Sequence, residues 1–226
     1  MDLARAFSYA FEDEDWQSKV PITLVIGIIP IVNLAVLGWG LDLVRNMLDG
    51  VRNPMPDWSD LGTQFSERWV AGLIAGIGWF IYYIPWLIVS VILNTISGAI
   101  FRGADNLGFL SISLGISCLV SLLGIIYAAA VWLPFSVGLM RYARTREFNH
   151  FLQFGRNLNI AMENLSTLLV LGIFMFVYGI LLGIIGLIPC IGWLLVLFSI
   201  PISAIVQGHL VGQAAQEIAA KSRGAA

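Results

Sequence analysis

Between Leu165 and Gly208 the chain runs for 44 residues without a charged side chain, broken near its middle by Gly186-Leu-Ile-Pro-Cys-Ile-Gly192. A helix needs about 20 apolar residues to cross a hydrocarbon core roughly 30 Å thick, so this stretch holds two crossings and a tight turn. The bilayer is therefore the solvent, and the predicted fold class is all-α, a polytopic transmembrane helical bundle. Composition agrees: 58% of residues are hydrophobic and 12% charged, where a soluble domain carries about a quarter charged. A net charge of −2 gives no reason to expect nucleic acid as a partner, since such a binder carries a clustered basic surface. Cys118 and Cys190 lack CxxC spacing, so neither a disulfide framework nor a thiolate metal site follows.

Three further charge-free blocks precede the hairpin, Val20 to Leu41, Val70 to Phe101 and Leu107 to Met140. The first is one crossing. The second and third, at 32 and 34 residues, are too long for one crossing and too short for two, which predicts tilted, kinked or partly interfacial helices with kinks at Pro85 and Pro134. About five spans result, with four to six possible: Val20–Leu43, Val70–Leu93, Phe109–Trp132, Thr167–Ile188 and Trp193–Leu210. They form a transmembrane bundle over 20–210, preceded by an N-terminal amphipathic segment over 1–19 and followed by a tail over 211–226.

Two linkers read as amphipathic helices lying in the interface. In 57–69, Trp58, Leu61, Phe65 and Trp69 share a helical face, with Asp57 as a natural N-cap; in 147–163, Phe148, Phe151, Leu152, Leu158 and Met162 do the same. Leu3, Phe7 and Phe11 also share a face, which fits either an interfacial helix or a short one packed on the protein's own loops. Acids precede the first apolar stretch and no basic region does, so a cleavable signal is not expected. With five spans, Arg5, Lys19 and Arg102 fall on one side and nine Lys and Arg on the other. That puts the linkers and C-terminus in the cytoplasm and the N-terminus outside. The assignment rests on the span count: if one block dips in and returns, the N-terminus changes side. Trp16, Trp39, Trp58, Trp69 and Trp132 fall near span ends, where indole rings favour the interface. A faint internal echo pairs Gly27-Ile-Ile-Pro-Ile-Val-Asn33 with Gly186-Leu-Ile-Pro-Cys-Ile-Gly192, and Trp79 to Ile84 with Met175 to Ile180.

Asp13-Glu-Asp-Trp16 with Lys19, Gly38-Trp-Gly40 with Arg45, Met55-Pro-Asp-Trp-Ser-Asp-Leu-Gly62, Tyr82-Tyr-Ile-Pro85 and Ile188-Pro-Cys-Ile-Gly192 together resemble one prokaryotic integral membrane family, the domain of unknown function four thousand and thirteen. The resemblance runs from about Ala6 to Gln213, and its most specific element is the proline–acid–tryptophan–acid linker. It implies a multi-span bacterial or archaeal protein of the cytoplasmic membrane, and brings no activity, cofactor or catalytic residue.

The residues themselves offer little chemistry. No ionisable group lies in a span interior, which weighs against a proton-coupled pump or ion exchanger. His150 and His209 lack metal-ligand spacing, and no nucleophile, P-loop or paired-carboxylate motif is present; no cofactor is expected. Asn33, at the middle of the first span, needs a partner and predicts an interhelical hydrogen bond, or a substrate contact together with Tyr82, Tyr83 or Tyr127. Gly72 and Gly76, Gly124 and Ala128, and Gly179 and Gly183 allow close helix approach, within the bundle or to a partner. Arg141, Arg144, Arg146 and Arg156 form the one basic concentration, suited to lipid headgroups. The expected function is that of a non-catalytic subunit packing within a larger membrane complex, with membrane lipids and other membrane subunits or itself as partners. A small permease or lipid-handling protein for a neutral or amphiphilic molecule is the alternative, and an interfacial enzyme using Asp57, Asp60, His150 and His209 comes third.

Overall fold

The computed structural model describes residues 1–53, 55–100 and 106–224, apart from the side chains of 100, 106–112 and 223–224. Pro54 and Arg102 lie outside the described residues. Helices follow one another as α1 (Leu3–Ser8), a 3-10 turn (Tyr9–Glu12), α2 (Trp16–Ile28), α3 (Leu34–Leu48), α4 (Leu61–Ile100), α5 (Asn106–Thr145), α6 (Asn149–Leu152), α7 (Phe154–Glu163), α8 (Leu165–Gly186) and α9 (Ile191–Gly224), with no strand among the described residues. Four of them, α4, α5, α8 and α9, are long and apolar enough to cross a membrane. The protein is an all-α polytopic membrane bundle, with four such helices rather than the five spans placed along the sequence.

The missing crossing is the first. The block Val20–Leu43 breaks at Ile29–Asn33, where Ile31 sits at φ 69°, and the chain turns back on itself. Gly27 of α2 and Val36 of α3 meet at Ile200 of α9, while at the other end Lys19 reaches the carbonyl of Met55 at 3.3 Å. With 13 and 15 residues, α2 and α3 are about 20 and 22 Å long, shorter than the hydrocarbon core. They form a short helical hairpin. Its tip matches that of the α8–α9 hairpin: in each, a Gly-x-Ile-Pro run is followed by a non-glycine residue at positive φ, Ile31 at 69° and Cys190 at 64°. The faint echo in the sequence is thus a repeated turn. Side chains seldom adopt this conformation, and a β-branched one pays most for it, about 1–2 kcal/mol. The α2–α3 hairpin lies beside α9 with α3 running in the same direction, and its tip reaches only to the level of Ile200.

The hairpin moves the N-terminus. Met1 places its ammonium 2.7 Å from Glu217 and Asp2 its amide 2.6 Å from Gln213, so both terminal segments lie at one end, in place of the opposite sides expected. α1 packs on α9 and sets Phe7 against Phe174 and Tyr178 of α8, while Leu3, Phe7 and Phe11 stay exposed.

α3 is the central helix, because glycines let neighbouring backbones come against it. A Cβ on Gly38 would lie 1.9 Å from the Arg68 carbonyl oxygen of α4, and one on Gly72 1.9 Å from that of Leu34. On the α9 side, Gly208 and Gly212 take the side chains of Leu43 and Met47. α4 and α5, at 40 residues each, are about 60 Å long and run unbroken through Pro85 and Pro134. They pair antiparallel, Trp86 against Gly124, and α8 pairs with α9 through Tyr178 and Ser203, whose hydroxyls are 2.8 Å apart.

The linkers are not free interfacial helices. Leu61–Trp69 forms the first turns of α4, and the cap is Asp60, which accepts from the Thr63 amide at 3.2 Å, instead of Asp57. In 147–163, α6 and α7 turn Phe151, Asn157 and Ala161 into the protein; the Phe151 ring sits over Gly78 and Gly138. Trp39 and Trp58 are core residues, 0% and 5% exposed, and not part of an interfacial belt.

The two glycines of α4 provide a matched test. Gly72→Ala forces backbones apart and should destabilise the protein by about 2–3 kcal/mol. At Gly76 nothing lies within 4 Å, so Gly76→Ala should be neutral or stabilising by up to about 1 kcal/mol; thermal unfolding in one detergent compares them.

Candidate functional site

Charged residues that border the apolar blocks converge at the end of the bundle that carries the termini. The linker Met55–Asp60 lies across the mouth of the α2–α3 hairpin and is held residue by residue. Lys19 pairs with Asp13 at 2.7 Å and donates to the Met55 carbonyl, with both side chains buried. Trp39 donates its indole N–H to the Pro56 carbonyl at 2.9 Å, and Trp58 donates to the Thr23 hydroxyl at 2.9 Å. Arg68 donates to the Asp57 carbonyl at 2.5 Å and lies over the Trp58 ring at 4.4 Å. Buried indole and ammonium groups need such partners. The family-like motif is therefore a structural clasp.

Asp42 is its hub. Its carboxylate accepts from Arg68 Nε at 2.8 Å and from Arg146 Nη2, tying α3 to α4 and to the residue just after α5. Arg45, one turn further along α3, lies 3.9 Å from Asp49 with both side chains half exposed. Arg146 stands at φ 60°, and its Nη1 is buried without a partner among the described residues.

A second polar cluster joins α7 to the bundle. Arg141 donates to Asn157 and Gln153, each at 2.7 Å, and Asn157 donates to the Tyr82 hydroxyl at 3.0 Å and to the His150 carbonyl at 2.7 Å. His150 Nε2 is 2.7 Å from the Thr145 hydroxyl and 3.8 Å from Glu147. Burial first, and then the Arg141 charge, push the His150 imidazole below its ordinary value, with Arg156 adding and Glu147 opposing. His209 stacks on Tyr9 at 4.5 Å and contacts Gln213 at 3.0 Å. Burial, with Asp13 and Glu12 adding, pushes the Tyr9 phenol well above its usual range. Among the described residues no group of three or more His, Cys, Asp or Glu is placed to hold a metal ion.

Several cavities adjoin these clusters among the described residues. A polar one of about 340 Å³ opens between Lys19, Asn53 and Arg68. One of about 470 Å³ lies between α3, α4 and α5, with Arg45, Arg68 and Arg146 on its rim and Val70, Ala71 and Ile74 along its wall. An apolar groove of about 310 Å³ lies between α3 and α9, with Asn33 and Gln207 as its polar members among residues such as Leu37, Leu41 and Ala204.

The residues singled out in the sequence are distributed differently from expectation. Asn33 is at the hairpin turn, exposed, and takes no side-chain hydrogen bond among the described residues; it is not grouped with Tyr82, Tyr83 or Tyr127. Tyr82 is buried against Phe135 and Phe154, Tyr83 stacks on Trp79, and Tyr127 donates to the Tyr82 carbonyl at 2.9 Å. Gly72 and Gly124 are used in packing, Ala128 is half-buried, and nothing lies within 4 Å of Gly76, Gly179 or Gly183. Arg141 and Arg146 are engaged inside the protein, whereas Arg144 and Arg156 are exposed. Asp13, Lys19, Trp39 and Arg68 were missed as a group. A signal existed: Lys19, Asp42 and Arg68 each stand within two residues of an apolar block boundary.

Asp42→Asn leaves two guanidiniums facing a neutral amide and should cost about 2 kcal/mol, less than the full penalty because the site is partly open to solvent. Since the folded His150 binds its proton less readily than the unfolded one, stability should fall as pH drops through the unfolded value of 6.5. Thermal unfolding between about pH 7 and pH 5 should show a larger loss for the wild type than for His150→Gln.

No curated protein and no solved structure matches the chain. A family model described as "Protein of unknown function (DUF4013)" matches residues 22–191 of the 226, from within α2 through α3, the linker and α4 to α8. The chain belongs to this family of unknown function.

Proposed function

We propose that the protein is a non-catalytic subunit that packs within a larger assembly of the prokaryotic cytoplasmic membrane, with both termini in the cytoplasm. The orientation is supported by basic residues: apart from Arg102, the Lys and Arg belong to segments gathered at the end that carries the termini, the pattern of a cytoplasmic face. The non-catalytic role is supported by the commitment of acids at that end to ion pairs, Asp13 with Lys19, Asp42 with two arginines and Glu217 with the N-terminus.

The observation that carries the assembly reading is the bare face of α8. Gly38 of α3 and Gly72 and Gly78 of α4 are filled by the protein's own neighbours, and Gly172 is covered by Trp132, yet a Cβ added at Gly179 or Gly183, one turn apart and both exposed, would meet nothing within 4 Å. Only 11% of the most apolar stretch of α4, and likewise of α8, is buried within the chain. Glycines four residues apart let a second transmembrane helix approach closely, and lipid tails gain less from such a site than a packed helix does. The occupant is a transmembrane helix of another subunit, with a second copy of the chain as the alternative outcome.

A lipid-handling role is favoured by one different feature, the apolar groove between α3 and α9 with Asn33 and Gln207 in it. A copurified acyl chain seated there would support that reading.

Sizing with light scattering after mild detergent extraction tests the assembly. The wild type should run above its monomer mass of 24.8 kDa, and Gly179→Leu with Gly183→Leu should return it to a monomer with unchanged unfolding temperature. A monodisperse wild-type monomer with nothing bound would refute the proposal.

A further inference from the structure

We infer that the cavity between α3, α4 and α5 binds the phosphate headgroup of an anionic phospholipid from the leaflet on the charged side. Its rim carries Arg45, Arg68 and Arg146 against Asp42 and Glu67, so three cations meet two anions. Asp42 neutralises only one of the two guanidiniums it touches. Arg146 Nη1 has no acceptor among the described residues, and Arg45 has only the long contact to Asp49. A guanidinium in this condition gains strongly from a phosphate oxygen, which offers short, charge-assisted hydrogen bonds.

The wall beneath the rim decides between a lipid and a soluble anion. Val70 lines the cavity and is 47% exposed on α4, with the half-buried Ile74 one turn further along the same wall. An occupant placed here has a charged group at the arginines and an aliphatic segment along α4, the arrangement of a glycerophospholipid at the boundary between headgroups and hydrocarbon. A volume of about 470 Å³ accommodates the phosphate and the glycerol region. The inference does not depend on assembly: a monomer that binds anionic lipid here leaves it standing.

The test uses the full chain in detergent micelles, titrated with phosphatidylglycerol, with phosphatidylcholine, or with inorganic phosphate, and read by thermal unfolding and by native mass spectrometry. Phosphatidylglycerol should raise the unfolding temperature and remain bound, while phosphatidylcholine and phosphate should not. Arg45→Gln should weaken phosphatidylglycerol binding about fivefold, as expected for the loss of one cation near the headgroup layer, and Arg146→Gln should weaken it at least as much. If Arg146→Gln does not fold, Arg45→Gln decides alone, because its side chain is half exposed and makes only the long, solvent-exposed contact to Asp49. Equal affinity for the two lipids, or unchanged affinity in Arg45→Gln, would overturn the inference. Phosphate binding that is lost in Arg45→Gln would make this a soluble-anion site and would equally overturn the lipid assignment.

Discussion

Taking a carboxylate out of water beside a hydrocarbon phase is costly unless cations neutralise it in place, and Asp42 makes that requirement the organising constraint of this bundle. Its two oxygens need Arg68 from α4 and Arg146 from the end of α5, so helices remote in sequence must end at one level beside α3. Arg68 is then fixed from both sides, since it also bonds the Asp57 carbonyl and covers Trp58. Through it the linker is drawn across the hairpin mouth, where Lys19, Trp39 and Thr23 find their own partners. Satisfying one charge thus closes the polar end, and the close approach of α3 to α4 at Gly38 and Gly72 follows from the same docking.

The turn of the short α2–α3 hairpin leaves irregular backbone beside apolar helices. Irregular backbone at membrane depth is tolerated where protein or water satisfies its polar groups. Here the turn carbonyl of Ile31 accepts the indole N–H of Trp69 at 2.8 Å, and the turn amides of Asn33 and Leu34 are bonded to the carbonyls of Ile29 and Ile31. The same turn joins α8 to α9, where the helices on either side are long enough to cross. Two hairpins that enter from one end but reach different depths leave the apolar groove between α3 and α9.

Much of the fold was legible because charge-free length is a one-dimensional property. The four long helices lie in the blocks where the sequence places them, and the tight turn at Gly186–Gly192 is where it was expected. Val20–Leu43 was misread because a block of about 22 apolar residues fits one crossing as well as two short helices, and only the chain's return past Lys19 distinguishes them. The cap moved from Asp57 to Asp60 because the linker's first residues are held in the clasp, which delays the helix start. Asn33 was expected to need a buried partner, yet a turn residue leaves its side chain at the surface.

The sequence by itself determined that the protein lives in a bilayer, roughly how many helices are long enough to cross it, and where they turn, since apolar length and turn residues act locally. Only the tertiary structure decided that the first block turns back, that both termini share one end, and that charges from distant block boundaries meet at Asp42. Those outcomes depend on which side chains neutralise and pack against one another across long separations, and no local pattern encodes that pairing.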